Sequence, residues 1–96
     1  MSPNPYKFRV TDDITRFIRS MHPELRRKIK AALKIVSSTP EVGKTLRDDL
    51  AGLRSFLVSR FRIIYRISGR TIEIIAVGPR ERIYEETYRL IKKEVR

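Results

Sequence analysis

Between residues 54 and 84 the chain carries seven arginines, Arg54, Arg60, Arg62, Arg66, Arg70, Arg80 and Arg82, and no lysine. Only Glu73 and Glu81 oppose them in that stretch. A guanidinium is a flat fork of donors that grips a phosphate through two bonds and stacks on a base, which an ammonium cannot do. Arginines spread over one face of a sheet therefore make a surface suited to RNA. Arg80 has the most telling place, because Gly78-Pro79 must end a strand just before it. Tyr65 and Tyr84 lie in the same stretch. Tyr65 falls on an apolar alternation and reads as core, whereas Tyr84 follows the Arg80-to-Arg82 turn.

The rest of the composition narrows the chemistry. Cysteine is absent, which removes disulfides, thiolate zinc sites and thiol nucleophiles together and suits a reducing cytoplasm. The single histidine, His22, excludes a histidine-rich metal site and a two-histidine ribonuclease mechanism. Beside Pro23 it reads as a helix cap or a surface residue, since no partner tunes or orients it. Neither a metal nor a cofactor is expected. The net charge of +11 points to a polyanion or an acidic protein as partner. Residues 1–50 hold eleven basic and six acidic side chains, and residues 51–96 hold eleven and five. The charge belongs to the folded body, not to a tail.

With 96 residues, 41% of them hydrophobic, the chain suits one globular domain, 1–96, with a modest core. No apolar run approaches the ~20 residues of a membrane-spanning helix. The opening Met-Ser-Pro-Asn-Pro-Tyr lacks the charged-then-apolar pattern of a signal peptide. A cytoplasmic protein without a membrane partner is the expectation.

Several elements must position the arginines. Tyr6, Phe8 and Val10 alternate with Lys7 and Arg9, the period of a half-buried strand. Thr11, Asp12 and Asp13 then offer a cap and first-turn negative charge to a helix whose apolar face is Ile14, Phe17, Ile18 and Met21. His22-Pro23 breaks it, and Pro23 suits the first position of a second helix. Leu25, Ile29, Ala32, Leu33 and Val36 form that helix's core stripe. Its other face is basic and reads as solvated surface. Residues 41–52 read as a packed connection without chemistry.

A three-stranded meander follows. Residues 53–58 form its first strand. In the second, Phe61, Ile63, Tyr65 and Ile67 should face the helices, while Arg62, Ile64 and Arg66 face outward. Ser68-Gly69-Arg70 turns into Thr71–Val77, an interior strand apolar on both faces apart from Glu73. A last helix has Glu85 and Glu86 near its start and Lys92 and Lys93 near its end, as the helix dipole favours. Tyr84, Tyr88, Ile91 and Val95 share one of its faces. The expected fold class is α+β: a small antiparallel sheet, an N-terminal strand plus the meander, packed against a helix hairpin, with a C-terminal helix.

This order of elements, with Gly52-Leu-Arg-Ser-Phe, Arg60-Phe-Arg-Ile-Ile-Tyr-Arg and Val77-Gly-Pro-Arg-Glu-Arg-Ile-Tyr, resembles the RelE/ParE superfamily of toxins from type II toxin–antitoxin pairs. Resemblance to the RelE branch implies a ribosome-dependent endoribonuclease that cuts messenger RNA through attack by a 2′-hydroxyl. It implies catalytic roles for Arg62 and Arg80, which stabilise charge on the phosphoryl oxygens, and for Tyr84, which stacks on a base or helps move a proton. Arg54, Arg60, Arg66 and Arg82 would contact RNA around them. The implied partners are a cognate antitoxin, forming a hetero-oligomer with the toxin, and the ribosome with its message. The chain departs from the branch at Ser55 and Leu57, where active members commonly carry two alternating basic residues. Arginine is a poor base, so the general base is unassigned. The Leu53-Arg-Ser-Phe start also resembles the ParE branch, which acts on DNA gyrase. A catalytically weak or inactive RNA-binding relative is the third alternative.

Overall fold

The computed structural model describes residues 6–95, with side chains as far as residue 93. Residues 1–5, read above for a signal peptide, and the side chain of Val95 lie outside the described residues. The chain runs β1 (Lys7–Arg9), α1 (Asp12–Arg19), α2 (Pro23–Ser38), β2 (Lys44–Thr45), β3 (Arg54–Val58), β4 (Phe61–Ser68), β5 (Thr71–Pro79) and α3 (Ile83–Val95), an α+β fold. Two 3-10 turns, Pro40–Val42 and Asp48–Leu50, flank β2. No described helix is long and apolar enough to cross a membrane.

Local chemistry sets the helix starts. The Thr11 side chain caps α1 by accepting a hydrogen bond from the Ile14 amide at 3.2 Å. His22 caps α2, its Nδ1 accepting from the Glu24 amide at 3.2 Å, with Pro23 behind it in the first turn. The helix-break histidine is thus occupied by backbone.

The five strands are ordered β1-β5-β4-β3-β2. All neighbours are antiparallel except β1, which pairs parallel with β5, so the sheet is mixed where an antiparallel one was expected. Side-chain alternation sets which face a residue takes but not the direction of its neighbour. The helix hairpin carries the chain away between β1 and the meander, and that crossover permits the parallel pairing. The fifth strand, β2, is only two residues long and carries no alternation to detect.

Met21, Ile29, Ala32 and Val36 of the α1–α2 hairpin pack on Ile63, Tyr65, Ile72, Ile74 and Val77. The opposite face, where Arg62, Ile64 and Arg66 were expected to point outward, is partly roofed by α3. Ile83 packs there with Leu53, Ile64 and Ala76, and Ile64 is fully buried. A bulge in β5 makes both layers possible. Ile64 pairs with Ala76 but Tyr65 pairs with Ile74, which leaves Ile75 as an extra residue. Ile74 and Val77 consequently share the hairpin face although three residues apart. A simple alternation cannot produce that.

The buried side of α3 also differs from the expected Tyr84, Tyr88, Ile91 stripe. Ile83 and Thr87 are its buried residues, Tyr84 and Ile91 pack at their edge, and Tyr88 is exposed. Thr87 tolerates full burial because its hydroxyl donates to the Ile83 carbonyl at 2.6 Å, leaving no polar atom unpaired.

Candidate nucleic-acid interface

The meander and α3 bring three polar side chains together on the α3 face of the sheet. Ser55 of β3 is 2% exposed, and its hydroxyl accepts hydrogen bonds from Arg62 Nη1 at 3.0 Å and from the Tyr84 phenol at 3.2 Å. The Arg62 guanidinium carbon also lies 5.7 Å from the centre of the Tyr84 ring. Ser55 is therefore a pin that holds a cation and an aromatic ring in one arrangement while both stay half-buried, with edges open to solvent. A guanidinium held this way is oriented before an anion arrives, so less freedom is lost when it binds.

Backbone geometry brings further arginines to this end. Val58 pairs with Phe61, so Ser59 and Arg60 alone make the β3–β4 turn, with Ser59 at a φ of 59°. The Arg80 amide donates to the Arg60 carbonyl at 2.9 Å, which joins that turn to the end of β5. The Arg82 amide bonds the Pro79 carbonyl at 3.0 Å, closing the tight turn into α3. Arg60, Arg80 and Arg82 are exposed, and among the described residues none of their side chains has a hydrogen-bonding or ionic partner. Gly78, in register with Arg62, lets α3 come close: a Cβ there would stand 2.9 Å from Ile83 Cδ1 and 3.5 Å from Glu86 Oε1. Glu86 thus sets a carboxylate over the strand position beside Arg62.

The remaining arginines of the stretch are engaged elsewhere. Arg54 points to the hairpin face, where its Nη1 donates to the carbonyls of Glu41 at 3.0 Å and Gly43 at 2.9 Å. It clamps a turn beside Tyr65, away from Arg62. Arg66 donates to Glu73 at 2.7 Å, and Arg9 of β1 reaches the same carboxylate at 3.0 Å. That hydrogen bond from Arg66, aided by the charge of Arg9, holds Glu73 below the usual carboxylate range. Arg70 stacks over Tyr6 at 4.9 Å. Four residues along β4 separate Arg66 from Arg62, roughly 13 Å at ~3.3 Å per residue.

The family model described as the ParE toxin of the type II toxin-antitoxin system parDE matches residues 7–84. The chain is also 32% identical to a chain of the toxin–antitoxin complex RelBE2 from Mycobacterium tuberculosis, over 80% of its own length and 93% of that chain, with a TM-score of 0.68. The chain belongs to the RelE/ParE superfamily of type II toxins. Other solved structures share the toxin's fold. A mutant of E. coli toxin RelE in the free state superposes with a TM-score of 0.74 at 20% identity, covering 96% of this toxin and 99% of that chain. The archaeal RelE–RelB complex of Pyrococcus horikoshii gives 0.66 at 19%, covering 85% and 99%. No curated protein matches the sequence.

Three residues of the candidate site escaped the sequence reading. Ser55 stood as a deficiency because it is neither basic nor acidic, yet its hydroxyl is the bonding centre. Glu86 passed for a dipole-matching residue at a helix start. Lys44 stands directly opposite Ser55 in the β2–β3 ladder, although it belongs to the segment read as a connection without chemistry. The spacing between Lys44 and Ser55 carries no signal in sequence, because their meeting depends on strand pairing.

Proposed function

We propose that the toxin is an RNA endonuclease that cuts messenger RNA on the ribosome. The observation that carries this reading is the pinned Arg62–Ser55–Tyr84 cluster beside the open arginines of the Arg80 turn. An RNA 2′-oxygen attacks the adjacent phosphorus as the bond from phosphorus to the 5′-oxygen breaks. The products are a 2′,3′-cyclic phosphate and, once the departing 5′-oxygen has taken a proton from water, a free 5′-hydroxyl. Arg62 and Arg80 offset the charge that builds on the phosphoryl oxygens. Tyr84 offers its ring to a base, and Glu86, whose carboxylate stands beside Gly78 on this face, takes the 2′-hydroxyl proton. An antitoxin would silence the toxin, as the solved complexes of its relatives pair toxin with antitoxin.

The test is induction in a host without the antitoxin, with message ends mapped within minutes. New ends inside translated codons, absent from Arg80→Ala at equal protein level, are expected. Intact messages during growth arrest would refute the nuclease reading. They would favour a second one, gyrase inhibition, which the ParE description of the matching family supports. That reading predicts DNA damage signalling while translation continues.

A further inference from the structure

An open cleft of about 580 Å³ adjoins the pinned cluster, lined by Lys44, Thr45, Leu46, Arg47, Leu50 and Tyr84. One wall is the tyrosine that also bonds Ser55. Leu46 and Leu50 are half-buried and belong to the apolar cluster under α3, so the cleft has an apolar side fixed to the core. Lys44 and Arg47 bring two positive charges to its rim. Both are exposed, and among the described residues neither side chain has a hydrogen-bonding or ionic partner, despite Asp48 and Asp49 nearby in sequence.

Position ties this cleft to the cluster. Because Lys44 pairs with Ser55, their side chains leave the same face of adjacent strands, with Cβ atoms about 4.5–5.5 Å apart. The segment is also held at both ends. Gly43 is bound to the Tyr65 phenol, and the Leu46 amide donates to the Leu53 carbonyl at 3.0 Å. Between Arg47 and Leu50 the chain turns through Asp48 in the left-handed region, at a φ of 55°. A non-glycine residue keeps such a conformation where the surrounding structure dictates it.

We propose that this cleft is a second nucleotide subsite. It would seat the base of a residue flanking the scissile phosphate against Tyr84 and the leucines, while Lys44 and Arg47 grip the adjoining phosphates. The ligand class is single-stranded RNA. An aromatic wall, an apolar side and two unpaired cations suit a base with its phosphates, and stacking of this kind tolerates any base. Lys44 then supplies, across the ladder, positive charge that β3 itself lacks at Ser55. The inference rests on the reading that the toxin acts on RNA, and it extends the site from one phosphate to a run of nucleotides.

The test measures binding without cleavage, using a fluorescein-labelled 2′-O-methyl hexanucleotide, in which no 2′-hydroxyl is available to attack. Lys44→Ala/Arg47→Ala should weaken binding about 10-fold at low salt. It should also flatten the log–log salt dependence by about 1.4, the loss of two phosphate contacts to a single strand. Lys30→Ala/Lys34→Ala removes the same net charge from α2 and should leave both quantities close to wild type. Equal losses in the two double variants, an unchanged Lys44→Ala/Arg47→Ala, or no binding by the wild type would each overturn the subsite. Message mapping with the same variants keeps the two claims apart. Cleaved messages with unaltered hexanucleotide binding in Lys44→Ala/Arg47→Ala sink the subsite alone. A flattened salt dependence in Lys44→Ala/Arg47→Ala, with messages left intact by the wild-type toxin, sinks the nuclease reading alone.

Discussion

Tyr65→Phe removes one oxygen from the core and tests what holds the cleft in place. The Tyr65 ring is fully buried, and its phenol accepts from the Gly43 amide at 2.9 Å while donating to the Pro40 carbonyl at 2.6 Å. Both partners belong to buried residues just before Lys44. Phenylalanine keeps the packing but orphans a buried amide, at about 1–3 kcal/mol, and takes one bond from a carbonyl, at about 0.5–1.5 kcal/mol. The expected loss is roughly 2–4 kcal/mol, a large share of the ~5–15 kcal/mol that stabilises a typical domain. At ~4–8 °C per kcal/mol for a chain of this size, the melting midpoint should fall by roughly 8–32 °C.

Chemical denaturation with equal slopes for both proteins gives the free energy directly. Burial also pushes the Tyr65 phenol above its ordinary value of about 10. A raised folded value means that the wild type has its full stability below the ordinary value of about 10 and loses some as pH rises from there through the folded value. The phenylalanine variant should lack that alkaline loss. Gly43→Ala attacks the same clamp from the other side, since its Cβ would stand 2.5 Å from the phenol oxygen. A Tyr65→Phe loss below about 0.5 kcal/mol would mean that water or a shifted turn satisfies both groups, and the clamp argument would fail.

Two further substitutions address the α3 face of the sheet. Ser55→Ala should cost only about 1 kcal/mol of stability, because water can reach the half-buried Arg62 and Tyr84 donors once the hydroxyl is gone. Its cleavage rate should nevertheless fall about tenfold, a barrier rise of ~1.4 kcal/mol, and a primer-extension assay showing an unchanged rate would remove Ser55 as the positioning residue. Glu73→Gln should flatten the acid limb of a pH–stability curve. With its folded pKa lowered, Glu73 contributes above the ordinary glutamate value of about 4.3, and that contribution disappears as pH falls through the folded value. The wild-type contribution is about 1 kcal/mol for so accessible a pair, and parallel acid limbs in the two proteins would contradict it.

Much of this toxin is written in local sequence. Thr11, His22 and Pro23 announce the helix boundaries because a cap is a bond between residues two or three apart. The alternation from Phe61 to Ile67 announces β4 because pleating repeats every second residue, and it put Tyr65 correctly in the core. The ordered motifs around Arg54, Arg62 and Arg80 were enough to mark the superfamily. Where the sequence reading stopped short, residues distant along the chain decide the outcome. The bulge at Ile75 exists only in register with β4, and Thr87 is buried only because α3 docks over Ala76 and Ile64. Tertiary structure also sorted seven similar arginines into different circumstances. Arg54 meets backbone carbonyls and Arg66 meets Glu73, while Arg62 is pinned by Ser55 and Arg80 remains open. An arginine has the same charge everywhere in a sequence, and only the groups that strand pairing and helix docking set around it decide whether that charge is already satisfied or left for a phosphate.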